Sequence, residues 1–82
     1  VILVTAHYDH LGVRDGEIYN GADDNASGAA MLTAVAEYFV GRPPNHDILF
    51  AALDAEEIGL LGARALAFDP EVPMDRVAIN IN

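Results

Sequence analysis

Three apolar runs set the frame for this chain: "VILVTA" (Val1–Ala6), "DILFAAL" (Asp47–Leu53) and "RVAININ" (Arg76–Asn82). The first two are continuous rather than alternating, which suits strands covered on both faces. In the third, Val77, Ile79 and Ile81 alternate with Ala78, Asn80 and Asn82, the two-residue period of a strand. Between the runs lie two stretches that read as helices. "ASGAAMLTAVAEYFVG" is apolar nearly all round, with only Thr33 and Glu37 as a narrow polar stripe. Such a helix is expected to pack on a sheet over most of its surface. "GLLGARALAF" reads as a second helix, stopped at Asp69-Pro70, with Gly59 and Gly62 as close-packing positions near its start.

The order strand, long loop, helix, strand, helix, strand makes two consecutive crossover units. These favour a parallel sheet with right-handed connections. The predicted fold is therefore α/β: a three-layer sandwich fragment with a mostly parallel sheet and crossover helices. In the long loop, Asp15-Gly16 between short apolar pieces signals a tight hairpin. Both ends of the chain read as strands under way, so the expectation for residues 1–82 is part of one catalytic domain, cut at both ends.

Composition narrows the partners. Apolar residues make up 52 % of the chain, which excludes a disordered segment. Thirteen acids against four bases give a formal charge of −9, which argues against nucleic acid or an anionic membrane as partner. The acids either make a solvated surface or surround cations. There is no cysteine, so disulfides and thiolate metal sites are excluded. No apolar stretch is long enough to span a bilayer. Ser27 lacks the "GxSxG" setting of a serine hydrolase, and the glycines form neither a P-loop nor "GxGxxG".

In open parallel sheets ligands bind beyond the carboxyl ends of the strands. Three groups of polar residues fall there: His7 and Asp9 after the first strand, Asp23 and Asp24 before the first helix, and Glu56 and Glu57 after the second strand. Residues two apart in an extended segment point the same way. His7 can thus offer a nitrogen to a metal while Asp9 holds the other nitrogen, or "HYD" is simply a polar loop. Asp23 and Asp24 in "GADDNASG" suit helix caps or metal ligands, and Asp24 or Asn25 lies near the helix start. Adjacent residues leaving a strand point in different directions. Of Glu56 and Glu57, one can bind a metal and the other take a proton from water acidified by it. The bland alternative is two solvated acids opening a helix. One histidine with several carboxylates suits zinc, or else manganese or cobalt. His10 lines such a site from its loop or is spare. His46 reads as a surface turn residue, Tyr8 and Tyr19 as packing or substrate contacts, and Tyr38 as helix packing.

Taken in series, "HYDHLG", "NGADDNASGAAMLTAVAEYF" and "ILFAALDAEEIGLLGA" resemble the co-catalytic zinc exopeptidases of the bacterial leucyl aminopeptidase type, whose fold glutamate carboxypeptidase and glutaminyl cyclase share. The resemblance covers almost the whole chain. It implies that His7 binds one zinc, Asp9 orients it, Asp24 bridges two zinc ions, Glu56 is the general base and Glu57 binds the other zinc. Asp23 is left as a cap or an outer partner. The implied activity is zinc-dependent peptide hydrolysis, with release of N-terminal residues ahead of carboxypeptidase action. A glutaminyl-cyclase-like acyl transferase and a metal-free receptor module, as in the transferrin receptor, are the other readings. The family also takes an aspartate just after the third strand and a histidine much later. Neither falls within this sequence, and Asp69 and Asp75 stand at the wrong end of that strand. The 82 residues alone are accordingly expected to be inactive. The resemblance also points to a secreted or periplasmic protein.

Overall fold

The computed structural model describes all 82 residues. Five strands and two helices follow one another: β1 (Ile2–His7), β2 (Gly12–Arg14), β3 (Glu17–Tyr19), α1 (Ser27–Phe39), β4 (Ile48–Leu53), α2 (Leu61–Phe68) and β5 (Ile79–Ile81). The expected α/β order is present. β1 lies at the centre of a parallel sheet of order β4-β1-β5, with His7 opposite Leu53 at the carboxyl ends and Val4 opposite Ile81.

To reach the far side of β1, the chain must pass from β4 over the sheet. Alternate residues of β1 record the result. Val4 and Ala6 face the side of Leu32 and Val35 in α1, while Leu3 faces Ala63 and Leu66 in α2. The helices therefore sit on opposite faces, making three layers. The segments after β1 and β4 leave toward different faces, which opens a crevice between two adjacent strand ends.

The hairpin forms where Asp15-Gly16 predicts it. Both residues have positive φ, 52° and 80°, as a two-residue type I′ turn requires. Helix α1 is opened by Asn25, whose Oδ1 accepts from the Gly28 N–H at 3.0 Å, and closed by Gly41 at φ 71°.

Four expectations need correction. α1 is not packed over most of its surface: only Leu32 is buried, and Met31 is 63 % exposed. One sheet face can cover only one stripe of a helix, and no other element lies on the rest. Tyr38, taken as helix packing, is 59 % exposed and sits under the Arg42 guanidinium, 4.8 Å from the ring centre. The third strand begins at Ile79, not Arg76, because Met74–Arg76 is a tight turn closed by the Arg76 N–H on the Pro73 carbonyl. Both isoleucines of β5 are 53 % exposed, since no further strand flanks it. Gly59 precedes α2 and has nothing within 4 Å of where a Cβ would stand; its φ of 110° is what calls for glycine. With only Leu3, Thr5, Ala6 and Leu32 buried, the 82 residues form an open slab. Their radius of gyration is 14.4 Å, against roughly 12 Å for a compact chain of this length.

Gly62 does pack closely. A Cβ there would stand 2.9 Å from the Asp54 nitrogen and nearer still to its carbonyl oxygen. That oxygen accepts from the Gly62 N–H at 3.0 Å, so neither backbone can retreat without breaking the bond. We expect Gly62→Ala to destabilise the full-length protein by about 1–3 kcal/mol, read as a lower midpoint in urea unfolding. An unchanged midpoint would show that this contact relaxes freely.

Candidate metal centre

Strand β1 delivers His7 to the rim of the sheet as its last residue, and the register sets Leu53 beside it. Three and four residues beyond Leu53 come Glu56 and Glu57. Their turn is fixed from both sides. The carbonyls of Asp54, Ala55 and Glu56 accept N–H groups from Gly62, Leu61 and Leu60 at 2.9–3.0 Å, which ties the turn to the start of α2. The N–H groups of Glu56 and Glu57 donate to the two carboxylate oxygens of Asp9, at 3.0 and 3.2 Å. Ala55 takes a positive φ of 58°, costly for an L-residue, and its N–H is held by Asp54 Oδ1 at 2.8 Å.

Asp9 thus does more than the sequence reading gives it. Its carboxylate stands 3.5 Å from His7 Nδ1, but the ring's hydrogen bond goes to the Asp9 main-chain carbonyl at 3.2 Å. One short segment therefore orients the imidazole and clamps the glutamate turn 47 residues away. Burial pushes the Asp9 carboxyl up, but the Glu56 and Glu57 N–H groups, with the His7 ring, outweigh it and hold it below its ordinary 3.8.

A carbonyl only accepts, so His7 Nδ1 carries the proton in that bond and Nε2 is left with a lone pair in the neutral ring. Nε2 lies 3.2 Å from Asp24 Oδ1. Two acceptors at that distance repel unless a proton or a cation stands between them. Asp24 reaches this point from the irregular turn Ala22–Ala26 and is exposed, so an ion can approach it. Asp24, Glu57 and His10 also offer ligand atoms that all lie within 4.8 Å of one another. Asp24 therefore lies within reach of both His7 and Glu57, and the imidazole and carboxylate donors fit zinc.

The paired glutamates diverge. Glu57 is drawn to His10, whose Nδ1 donates to its Oε1 at 2.7 Å. Glu56 lines a cavity of about 300 Å³ with His7, Asn25, Leu53 and Leu60. All five site residues of the sequence reading gather at one rim, while Asp23 contributes its carbonyl to the Ser27 hydroxyl, a local turn bond. Two residues gain definite roles: Asn25, expected with Asp24 near the helix start, is the one that caps α1, and His10, expected either to line the site or to be spare, bonds Glu57.

Comparison with known proteins adds the family. The family model for Peptidase family M28 matches residues 1–82. Aminopeptidase YwaD of Bacillus subtilis is 38 % identical over 63 residues, covering 77 % of this chain and 13 % of that protein. A vacuolar membrane protease of Schizosaccharomyces pombe is 36 % identical over 66 residues, 80 % of this chain and 7 % of that protein. A probable zinc metalloprotease of Leptosphaeria maculans is 41 % identical over 71 residues, 82 % of this chain and 16 % of that protein. The chain thus spans a small part of the length of the curated relatives it matches. No solved structure matches it significantly.

Proposed function

The chain belongs to peptidase family M28, and we propose that the protein carrying it is a zinc-dependent aminopeptidase with the five rim residues in its active centre. One observation carries this reading: Nε2 of His7 faces the Asp24 carboxylate at 3.2 Å, a spacing that a proton or a cation between them must satisfy, at the rim where Glu57 and Glu56 also gather. His7, Asp24 and Glu57 would hold two zinc ions with Asp24 shared, completed by ligands from outside these residues. When bound, zinc polarises the scissile carbonyl and acidifies water.

The chain's own residues do the rest. Glu56, on the cavity wall beside His7, takes the proton of the attacking water and returns it to the nitrogen of the departing amine as the peptide bond breaks. Asp9 keeps the His7 ring and the glutamate turn in place, so that base and ligands keep a fixed spacing. Amino-end action is favoured by the relative named an aminopeptidase.

Product analysis with the full-length protein tests this. A peptide with a free amino end should lose residues one at a time from that end, and acetylation of that end should stop release. Metal analysis should return two zinc ions per chain. Release from the carboxyl end would move the protein to carboxypeptidase action, and a single zinc with cyclised glutamine as product would move it to the cyclase reading. A protein without zinc or hydrolysis would end the proposal.

A further inference from the structure

His10 belongs to the same rim but has no part in the proposed division of labour. Its ring is wedged rather than loose. Tyr19, at the end of the hairpin, meets it edge-on with ring centres 6.5 Å apart. Gly21 closes the other side: a Cβ there would stand 2.8 Å from His10 Cγ and 2.8 Å from the Asp24 carbonyl oxygen. Gly21 itself takes φ 65°, so the chain turns back here with room for the imidazole but none for a side chain. With the ring so placed, Nδ1 sits 2.7 Å from Glu57 Oε1, a short charge-assisted bond in which the carboxylate accepts.

We propose that His10 is a positioning residue for Glu57, holding one carboxylate oxygen by an Nδ1–H bond so that the other is aimed at zinc, and that the β2–β3 hairpin holds His10. This rests on the zinc-peptidase reading and deepens it. The main-chain amide of Glu57 is already fixed by Asp9, but a glutamate side chain has three further torsions, and a bond to Oε1 is what restricts them. A metal-binding carboxylate held in this way has less freedom to lose when it binds.

The test is zinc affinity of the full-length protein, measured by chelator competition, together with zinc content and thermal unfolding. His10→Ala should weaken binding of the zinc that Glu57 holds by about 10–100-fold. His10→Asn, whose amide nitrogen falls near the position of Nδ1, should restore the affinity to within a few-fold and bind the same number of ions. A merely structural role would lower the unfolding temperature and leave the affinity of the folded fraction unchanged. His10→Ala with the affinity of the unsubstituted protein overturns the proposal. So does loss of one zinc from both variants, because His10 would then be a ligand. If the unsubstituted protein binds no zinc, the function reading itself fails, and that result is distinct from either.

Discussion

Replacing Glu56 with Gln should reduce peptide hydrolysis by about 10²–10⁴-fold, the usual range for a lost proton-transfer group, while zinc content stays unchanged. The substitution keeps the size of the side chain and removes its ability to take a proton. The bonds that hold the turn survive, because they come from the Glu56 main chain: its N–H on Asp9 and its carbonyl on Leu60. The fold and the placement of Glu57 should therefore persist. The loss should fall on kcat, with KM little changed, because the proton moves in the transition state and not on binding. Glu57→Gln should behave differently, releasing zinc along with activity. Steady-state kinetics with metal analysis on both variants checks the pair. Full activity in Glu56→Gln would remove it as the base, and zinc loss there with retention in Glu57→Gln would reverse the two assignments.

Much of this arrangement is local and therefore legible in the sequence. The continuous, β-branched run Val1–Ala6 suits a covered strand, and Asp15-Gly16 between short apolar pieces signals a tight turn. The glutamates at the end of "DILFAAL" must leave a strand at its carboxyl end. Sheet order is not local. Nothing in "VILVTA" says that it lies between β4 and β5, since that depends on which face each crossover helix takes. Burial was read too generously for the same reason. Hydropathy tells which surfaces favour cover, whereas Met31, Ile79 and Ile81 show how little cover these residues supply to one another. At the site, His7 stood out because it ends a strand. His10 stayed open between lining the site and being spare, because its position depends on a glycine at φ 65° eleven residues later and on a hairpin that folds back to meet it. The double role of Asp9 was hidden likewise. Its partners are main-chain N–H groups 47 and 48 residues away, which have no signature in side-chain pattern.

Asp9→Asn should therefore be more damaging than the loss of one orienting bond. The carboxylate accepts from two N–H groups with two oxygens. An asparagine has one oxygen, and its amide nitrogen would face the second N–H donor to donor. Either Glu56 or Glu57 must then shift. His7 also loses the negative charge 3.5 Å from Nδ1, which raises the ring's basicity toward a metal. The same residue thus touches both the ligand set and the base. We expect zinc affinity to fall by about 10–100-fold. With zinc supplied in excess, kcat should still be down by about 10²-fold, the cost of misplacing a reacting group by about an ångström. Asp9→Glu should not rescue either quantity, because the longer side chain carries the carboxylate past the two N–H groups. The pH behaviour follows from the same bonds. The folded-state pKa of Asp9 lies below its ordinary 3.8. Its contribution is whole above that value and is lost as pH falls through the folded pKa, so it fails only in acid. In the metal-free protein the Glu56 and Glu57 amides should keep their exchange protection at neutral pH and lose it as pH falls through the folded pKa below 3.8, while Asp9→Asn, with one acceptor oxygen left, should leave at least one of the two amides unprotected throughout. Amide exchange across an acid titration measures this directly, and protection in the variant equal to that of the unsubstituted protein would show that Asp9 does not hold the turn.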